Sequence, residues 1–232
     1  MKPDIVVMGT MALDSIETPF GRRENILGGS STYFSLAANF FSTVGIVGVV
    51  GQDFAEEHMS FLKEKGIDLE GIEQTEGRTF YWEGFYEYDM NQAHTRKTEL
   101  NVLASFEPKI PEGYKNCNFL FLANTDPELQ LQALEKAKPK HSLCDTMNYW
   151  IENKRDQVSE VFDRVDMAII NDGEARQYCD TPNLVAAGKQ LIDQGVSKVI
   201  IKKGEHGSLF FTDDNVFSIP AFPLEKVIDP TG

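Results

Sequence analysis

The chain has 232 residues, 41% of them hydrophobic and 25% charged, and carries a formal net charge of −14. That length supports one domain with a substantial core and a small appendage, and the acidic balance excludes a nucleic-acid-binding surface, which needs a basic face. Three widely spaced cysteines (Cys117, Cys144, Cys179) exclude a disulfide framework, and no Cys or His spacing suits structural zinc.

The apolar run 5–8, ending at Gly9, is too short for a signal peptide or a membrane span. It predicts a strand buried on both faces of a parallel sheet, in a cytoplasmic protein with no membrane partner. Residues 10–26, broken by Pro19 and Gly21, read as short strands or loop. Gly28-Gly29-Ser30-Ser31-Thr32 then precedes an apolar segment, 33–41, that predicts a largely buried helix with Ser30, Ser31 or Thr32 as N-cap. A second buried strand is expected at 44–50, followed by an amphipathic helix at 54–65 closed by Gly66.

From 71 to 106 the character changes. Residues 79–88 are aromatic and β-prone without a helical period, which predicts antiparallel strands serving as a lid or a dimerisation surface. Strand–helix alternation then resumes. Strands are expected at 119–123, 142–145, 166–170 and 198–202, and helices at 127–138, 149–164 and 184–193, with another opening at Asn171. A hairpin around Asp213-Asp214 follows. The fold class is α/β: a mostly parallel sheet sandwiched by helices, with an inserted β lid built from residues 10–26 and 71–106.

Ligands of open α/β sheets collect at the carboxyl ends of the strands. Asp14 follows the first strand and offers a carboxylate to vicinal hydroxyls; the plainer reading is a solvated loop residue. Gly28-Gly29 permits close backbone approach by a polyol or phosphate, or is simple turn punctuation. Asn171 and Glu174 fall on one helical turn, where an amide oxygen and a carboxylate hold a magnesium shell through waters, or merely cap the helix. Lys202-Lys203-Gly204-Glu205-His206-Gly207 joins a strand to a hairpin and presents Lys202 and open amides to a nucleotide. At the end of the chain, Asp229-Pro230-Thr231-Gly232 suits a tight turn feeding a helix N-terminus, where free N–H groups attract anions.

In this order, Gly-Gly, a β insertion, Asn-x-x-Glu, Lys-x-Gly-x-x-Gly and Asp-x-Thr-Gly resemble the ribokinase-like (PfkB) carbohydrate and nucleoside kinases across the whole chain. The resemblance implies one ribokinase-like domain over 1–232, incomplete at its C-terminus, that uses ATP and Mg2+ to phosphorylate a hydroxymethyl group of a sugar-like acceptor. A nucleoside kinase is the alternative, supported by Tyr33 and the aromatic lid strands, and a catalytically silent binding module is the reading from another class. By the same resemblance Asp14, Gly28, Gly29, Ser30 and Tyr33 bind the acceptor, with Asp126 as a further sugar-binding acid. Tyr33 stands where ribokinases often have Asn. Asn171, Lys202, Gly204, Gly207 and Thr231 bind nucleotide, Glu174 and Asn171 organise magnesium, and Asp229 and Gly232 belong to the catalytic turn. The base that closes the family's signature would lie beyond Gly232, so the 232 residues alone are expected not to turn over. Homodimerisation through the lid is the one protein partner expected. A Rossmann dehydrogenase is disfavoured, because Gly9-Thr10-Met11 stands where a Gly-x-Gly-x-x-Gly belongs.

Overall fold

The computed structural model describes residues 2–227, and in it the apolar runs of the sequence become the strands of one wide sheet. In chain order the first half supplies β1 (Ile5–Met8), β2 (Ala12–Thr18), β3 (Gly21–Gly28), α1 (Ser30–Ala38), β4 (Val44–Gly51), α2 (Glu56–Glu64), β5 (Asp68–Thr75), β6 (Phe80–Tyr86) and β7 (Ala93–Glu99). The second half supplies β8 (Phe119–Leu122), α3 (Pro127–Ala137), β9 (His141–Cys144), α4 (Asn148–Asn153), α5 (Arg155–Arg164), β10 (Met167–Asn171), α6 (Asp172–Cys179), α7 (Leu184–Asp193), β11 (Lys198–Lys202), β12 (Ser208–Phe211) and β13 (Val216–Ile219).

Among the described residues the main sheet has nine strands, ordered β13-β12-β11-β10-β9-β8-β1-β4-β5. From β11 through β5 every pairing is parallel; the β11–β12 and β12–β13 pairings are antiparallel. Both faces are covered. Val6 and Met8 point into one core with Ala133 of α3, Phe162 of α5 and Leu191 of α7, whereas Val7 points into another with Phe34 and Ala38 of α1. That alternation of fully buried residues is why β1 reads as a continuous apolar run.

Helix α7 packs tightly on β12. Gly188 in α7 sits against Phe211 of β12, and a β-carbon there would come within 2.5 Å of the ring. Gly188→Ala is expected to lower stability by about 1–3 kcal/mol through overpacking, read as a fall in thermal midpoint. An unchanged midpoint would contradict this packing.

Several sequence expectations change in detail. The insertion is a second sheet, ordered β3-β2-β6-β7. It is not wholly antiparallel, because β2 and β6 pair in parallel. Residues 71–75, expected in the lid, belong to β5 at the edge of the main sheet, where Gly71 lies close against the Ile46 carbonyl. The helix expected at 149–164 is two helices broken at Lys154, whose ammonium reaches back to Asp126 and Glu128. The buried face of α1 carries Ser31, Thr32 and Ser35, not its bulky residues; Phe40 and Phe41, just past its end, are exposed. Its N-cap is Gly29, with no side-chain cap.

Thr79 ties the lid to the main sheet. Its N–H and hydroxyl both donate to Asp53 Oδ1 at 2.7 Å, and its Oγ1 accepts from the Gly51 N–H at 3.0 Å, so the root of β6 is fixed to the end of β4. No described helix is long and apolar enough to cross a membrane.

Candidate active site

Because β1, β8, β9, β10 and β11 are parallel neighbours, their carboxyl ends form one row, and the residues following them face a common edge. At the β1 end, the chain turns through Thr10 directly into the lid strand β2, which carries Asp14. Asp14 is 3% exposed, and its Oδ2 occupies the space that a β-carbon on Gly28 would fill. Gly28 is thus glycine because Asp14 is there.

Gly29 adopts φ +93°, a conformation that L side chains rarely take, and a β-carbon would press on the Ala12 N at 2.8 Å. This lets the backbone pass close beneath β2 before α1 begins, with the Ser31 N–H donating to the Thr10 carbonyl at 3.1 Å. Ser30 Oγ and Thr10 Oγ1 both donate to the Asn124 carbonyl, at 3.2 and 2.7 Å. The Asn124 side chain accepts from Trp150 Nε1 at 3.1 Å. Asn124 therefore joins the ends of β1 and β8 to the start of α1, a role that sequence reasoning missed because it depends on three separate segments. Tyr33 lies half-buried on the first turn of α1, its N–H donating to the Gly29 carbonyl at 3.2 Å.

Asp126 lies in the loop after β8, at the start of α3. Its Oδ1 accepts from the Glu128 N–H at 3.0 Å, capping α3, and its carboxylate pairs with Lys154 at 2.8 and 3.0 Å. It holds the loop after β8.

The other end of the row is acidic. Asn171 Oδ1 accepts from the Glu174 N–H at 2.8 Å while Glu174 Oε2 accepts from the Asn171 N–H at 2.7 Å, a complete capping box on α6. Glu174 is only 8% exposed. Burial, followed by the nearby Asp145 carboxylate, pushes its pKa up to about 8. Burial likewise raises Asp145, which follows β9, while the Lys202 ammonium pulls it the other way. Lys202 pairs with Asn171 across the β10–β11 register. Asp145, Glu174 and Lys202 thus form one electrostatic unit at the ends of β9, β10 and β11. Asp145 was not legible as a site residue, since a lone Asp after a short strand carries no local signal.

After Lys202 the chain makes a single tight helical turn, Gly204–His206, with Gly204 at φ +54°. Gly207 leaves room for the Ala221 N, which would stand 2.7 Å from a β-carbon. His206 is exposed. The lid reaches this loop too: a β-carbon on Gly204 would meet Asn91 Oδ1, from the β6–β7 hairpin, at 3.0 Å. Asp229, Thr231 and Gly232 lie outside the described residues.

One end of the strand row thus carries Asp14 packed against the Gly28–Gly29 pair beside the second sheet, and the other carries a Lys/acid cluster with a glycine-bearing loop. The chain belongs to the pfkB family of carbohydrate kinases, whose pattern it matches over residues 5–232. These are ATP-dependent kinases that phosphorylate sugar or nucleoside acceptors. The chain is 29% identical to a cytidine kinase of Thermococcus kodakarensis, over 99% of its own length and 84% of that protein's. It is 26% identical to a 5-dehydro-2-deoxygluconokinase of Clostridium perfringens, over 97% and 75% of the respective chains. Among solved structures, a nucleoside kinase of Burkholderia thailandensis in complex with inosine superposes with a TM-score of 0.80 at 18% identity, covering 98% of this chain and 79% of that one.

Proposed function

We propose that the protein transfers the γ-phosphoryl group of ATP to the hydroxymethyl group of a nucleoside's sugar. The observation that carries this reading is the enclosure of Asp14 against Gly28, at the root of an aromatic lid. The near full-length similarity to a cytidine kinase supports the nucleoside over a free sugar. Asp14 accepts hydrogen bonds from acceptor hydroxyls, while Gly28, Gly29 and Ser30 let the backbone close on the sugar and Tyr33 borders it. Asp126 keeps the opposing loop in place through Lys154.

Asn171, Lys202, Gly204 and Gly207 receive the nucleotide, together with Thr231; Asp229 and Gly232 complete the catalytic turn by the signature they resemble. The oxygen-rich, under-neutralised cluster of Asp145, Glu174 and Asn171 fits a hard divalent cation held through water. Magnesium bound there would neutralise charge on the transferring phosphate. Lys202 contributes a fixed positive charge beside that cluster, and phosphoryl transfer rests mainly on such positioning and electrostatics. Homodimerisation through the lid belongs to the same proposal, with Phe20 and Tyr88 exposed on it, and sedimentation at increasing concentration tests it. A second reading, a free-sugar kinase, is favoured by the similarity to the gluconokinase.

The test is a panel of nucleosides, ribose and hexoses assayed for ADP formation with the intact protein, ATP and magnesium. At least about tenfold higher kcat/KM for a nucleoside, equivalent to about 1.4 kcal/mol, is expected. A preference for free sugars would overturn the acceptor assignment, and nucleotide binding without any turnover would point to the silent module.

A further inference from the structure

The second sheet reaches both ends of the strand row. Its strand β6 starts beside the end of β4, where Thr79 is bonded to Gly51 and Asp53. From there it runs in register with β2, which carries Asp14. The tip of the β6–β7 hairpin arrives at the loop after β11, where the Asn91 side chain lies against Gly204. Five strand spacings separate β4 from β11 in the main sheet, about 24 Å at roughly 4.8 Å each. The seven residues of β6 extend about 23 Å, so one strand and its tip cross that distance.

The tip is a built turn. The Met90 N–H donates to the Glu87 carbonyl at 3.0 Å, and the Asn91 N–H donates to Asp89 Oδ1 at 3.2 Å. The Tyr88 ring meets Phe20, between β2 and β3, at 6.5 Å between centroids, and Arg96 of β7 pairs with Glu17 of β2. The hairpin is thus tied to β2 at its tip as well as along its length. The loop it meets is held less firmly. The turn Gly204–His206 buries none of its residues and closes on itself, with the Lys203 N–H donating to the Gly207 carbonyl at 2.8 Å. Around the point that a Gly204 β-carbon would occupy, the described atoms within 4 Å from outside the loop are Asn91 Oδ1 at 3.0 Å and Cγ at 3.9 Å.

We propose that Asn91 is a positioning residue for the nucleotide, acting through Gly204 and coupling the two ligand sites across the second sheet. This rests on the reading above that acceptor and nucleotide take opposite ends of the strand row. An acceptor held by Asp14 fixes β2. The β2–β6 register then fixes β6, and the hairpin tip fixes the loop that carries Gly204. That loop is already ordered when the nucleotide arrives, so the nucleotide binds more tightly to the acceptor-loaded protein. By linkage, the acceptor binds more tightly to the nucleotide-loaded protein by the same factor.

The test is calorimetric titration of the intact protein with magnesium–ADP, with and without a saturating nucleoside. ADP has no γ-phosphoryl group, so nothing is transferred during the measurement. The wild type is expected to bind ADP about 5–20-fold more tightly when the nucleoside is present. Asn91→Ala should bring that ratio within about twofold of one, with nucleoside affinity measured alone within about threefold of wild type. Tyr88→Ala, which loosens the tip away from Gly204, should lower the ratio by at least about twofold. Titrating the nucleoside with and without ADP should return the same wild-type ratio. A wild type that binds both ligands independently overturns the coupling. A wild-type ratio kept by Asn91→Ala, or an ADP affinity that this variant lowers equally with and without nucleoside, overturns the role of Asn91. An unchanged ratio in Tyr88→Ala overturns the route through the hairpin tip. A wild type that binds ADP but no nucleoside overturns the reading on which the proposal rests.

Discussion

Gly28→Ala is expected to cost about as much acceptor affinity as Asp14→Ala, although it only adds a methyl group. A β-carbon at this position would overlap Asp14 Oδ2 and stand 3.1 Å from Asp14 Cβ, so the carboxylate must turn away from Gly28. Residue 28 has no left-handed backbone requirement, so the substitution acts through that displacement and not through strain. Hydrogen bonds to a charged group contribute about 1.5–3 kcal/mol each. Losing the acceptor contacts of Asp14 should therefore lower kcat/KM for the acceptor by roughly 10–150-fold, with the KM for ATP little changed. The two residues form one unit, so the double variant Asp14→Ala/Gly28→Ala should be no worse than Asp14→Ala alone. Steady-state kinetics of the four proteins checks this, and fully additive losses would contradict the shared mechanism.

The second large effect concerns Glu174 and pH. Its pKa is pushed up to about 8 from an ordinary 4.5, first by burial and then by Asp145. Between those values the folded protein binds more protons here than the unfolded chain, so stability falls as pH rises. Asp145 is displaced in the same direction and adds to the slope. Each tenfold difference in proton affinity between folded and unfolded chain corresponds to about 1.4 kcal/mol at most. The thermal midpoint of the metal-free protein is thus expected to drop by several degrees between pH 6 and pH 8.5. Glu174→Gln should flatten that slope, because the amide oxygen still accepts from the Asn171 N–H without carrying charge. Magnesium should restore the wild-type midpoint at pH 8.5 and restore the variant less. In turnover, Glu174→Gln should need more magnesium and run slower, with acceptor KM unchanged. Unchanged magnesium dependence with only a lower midpoint would leave Asn171 and Glu174 as a helix cap and nothing more.

What the sequence disclosed depended on how local the signal was. Buried parallel strands show as β-branched runs, and the strand–helix alternation follows from covering both faces of such a sheet, so the architecture was readable from 5–8, 44–50 and 198–202. The paired glycines at 28 and 29 were readable as close-approach residues, but the reason for Gly28 was not, since it lies in a side chain fourteen positions away. The capping box and the metal reading of Asn171 and Glu174 both fitted Asn-x-x-Glu; the hydrogen bonds establish the box. Asp145 was opaque because it gains its meaning from a strand pairing, β9 with β10, that joins segments remote in sequence. The break at Lys154 was hidden likewise, because its partners Asp126 and Glu128 lie more than twenty residues upstream.

In the proposed arrangement, acceptor and nucleotide occupy opposite ends of one strand row. Calorimetric titration of the wild type, Asp14→Ala and Lys202→Ala with a nucleoside, and separately with magnesium–ADP, tests it most directly. A crossed pattern is expected: Asp14→Ala loses nucleoside affinity and keeps that for ADP, while Lys202→Ala loses ADP affinity and keeps that for the nucleoside. Equal loss of both ligands in either variant, or no loss in either, would contradict it.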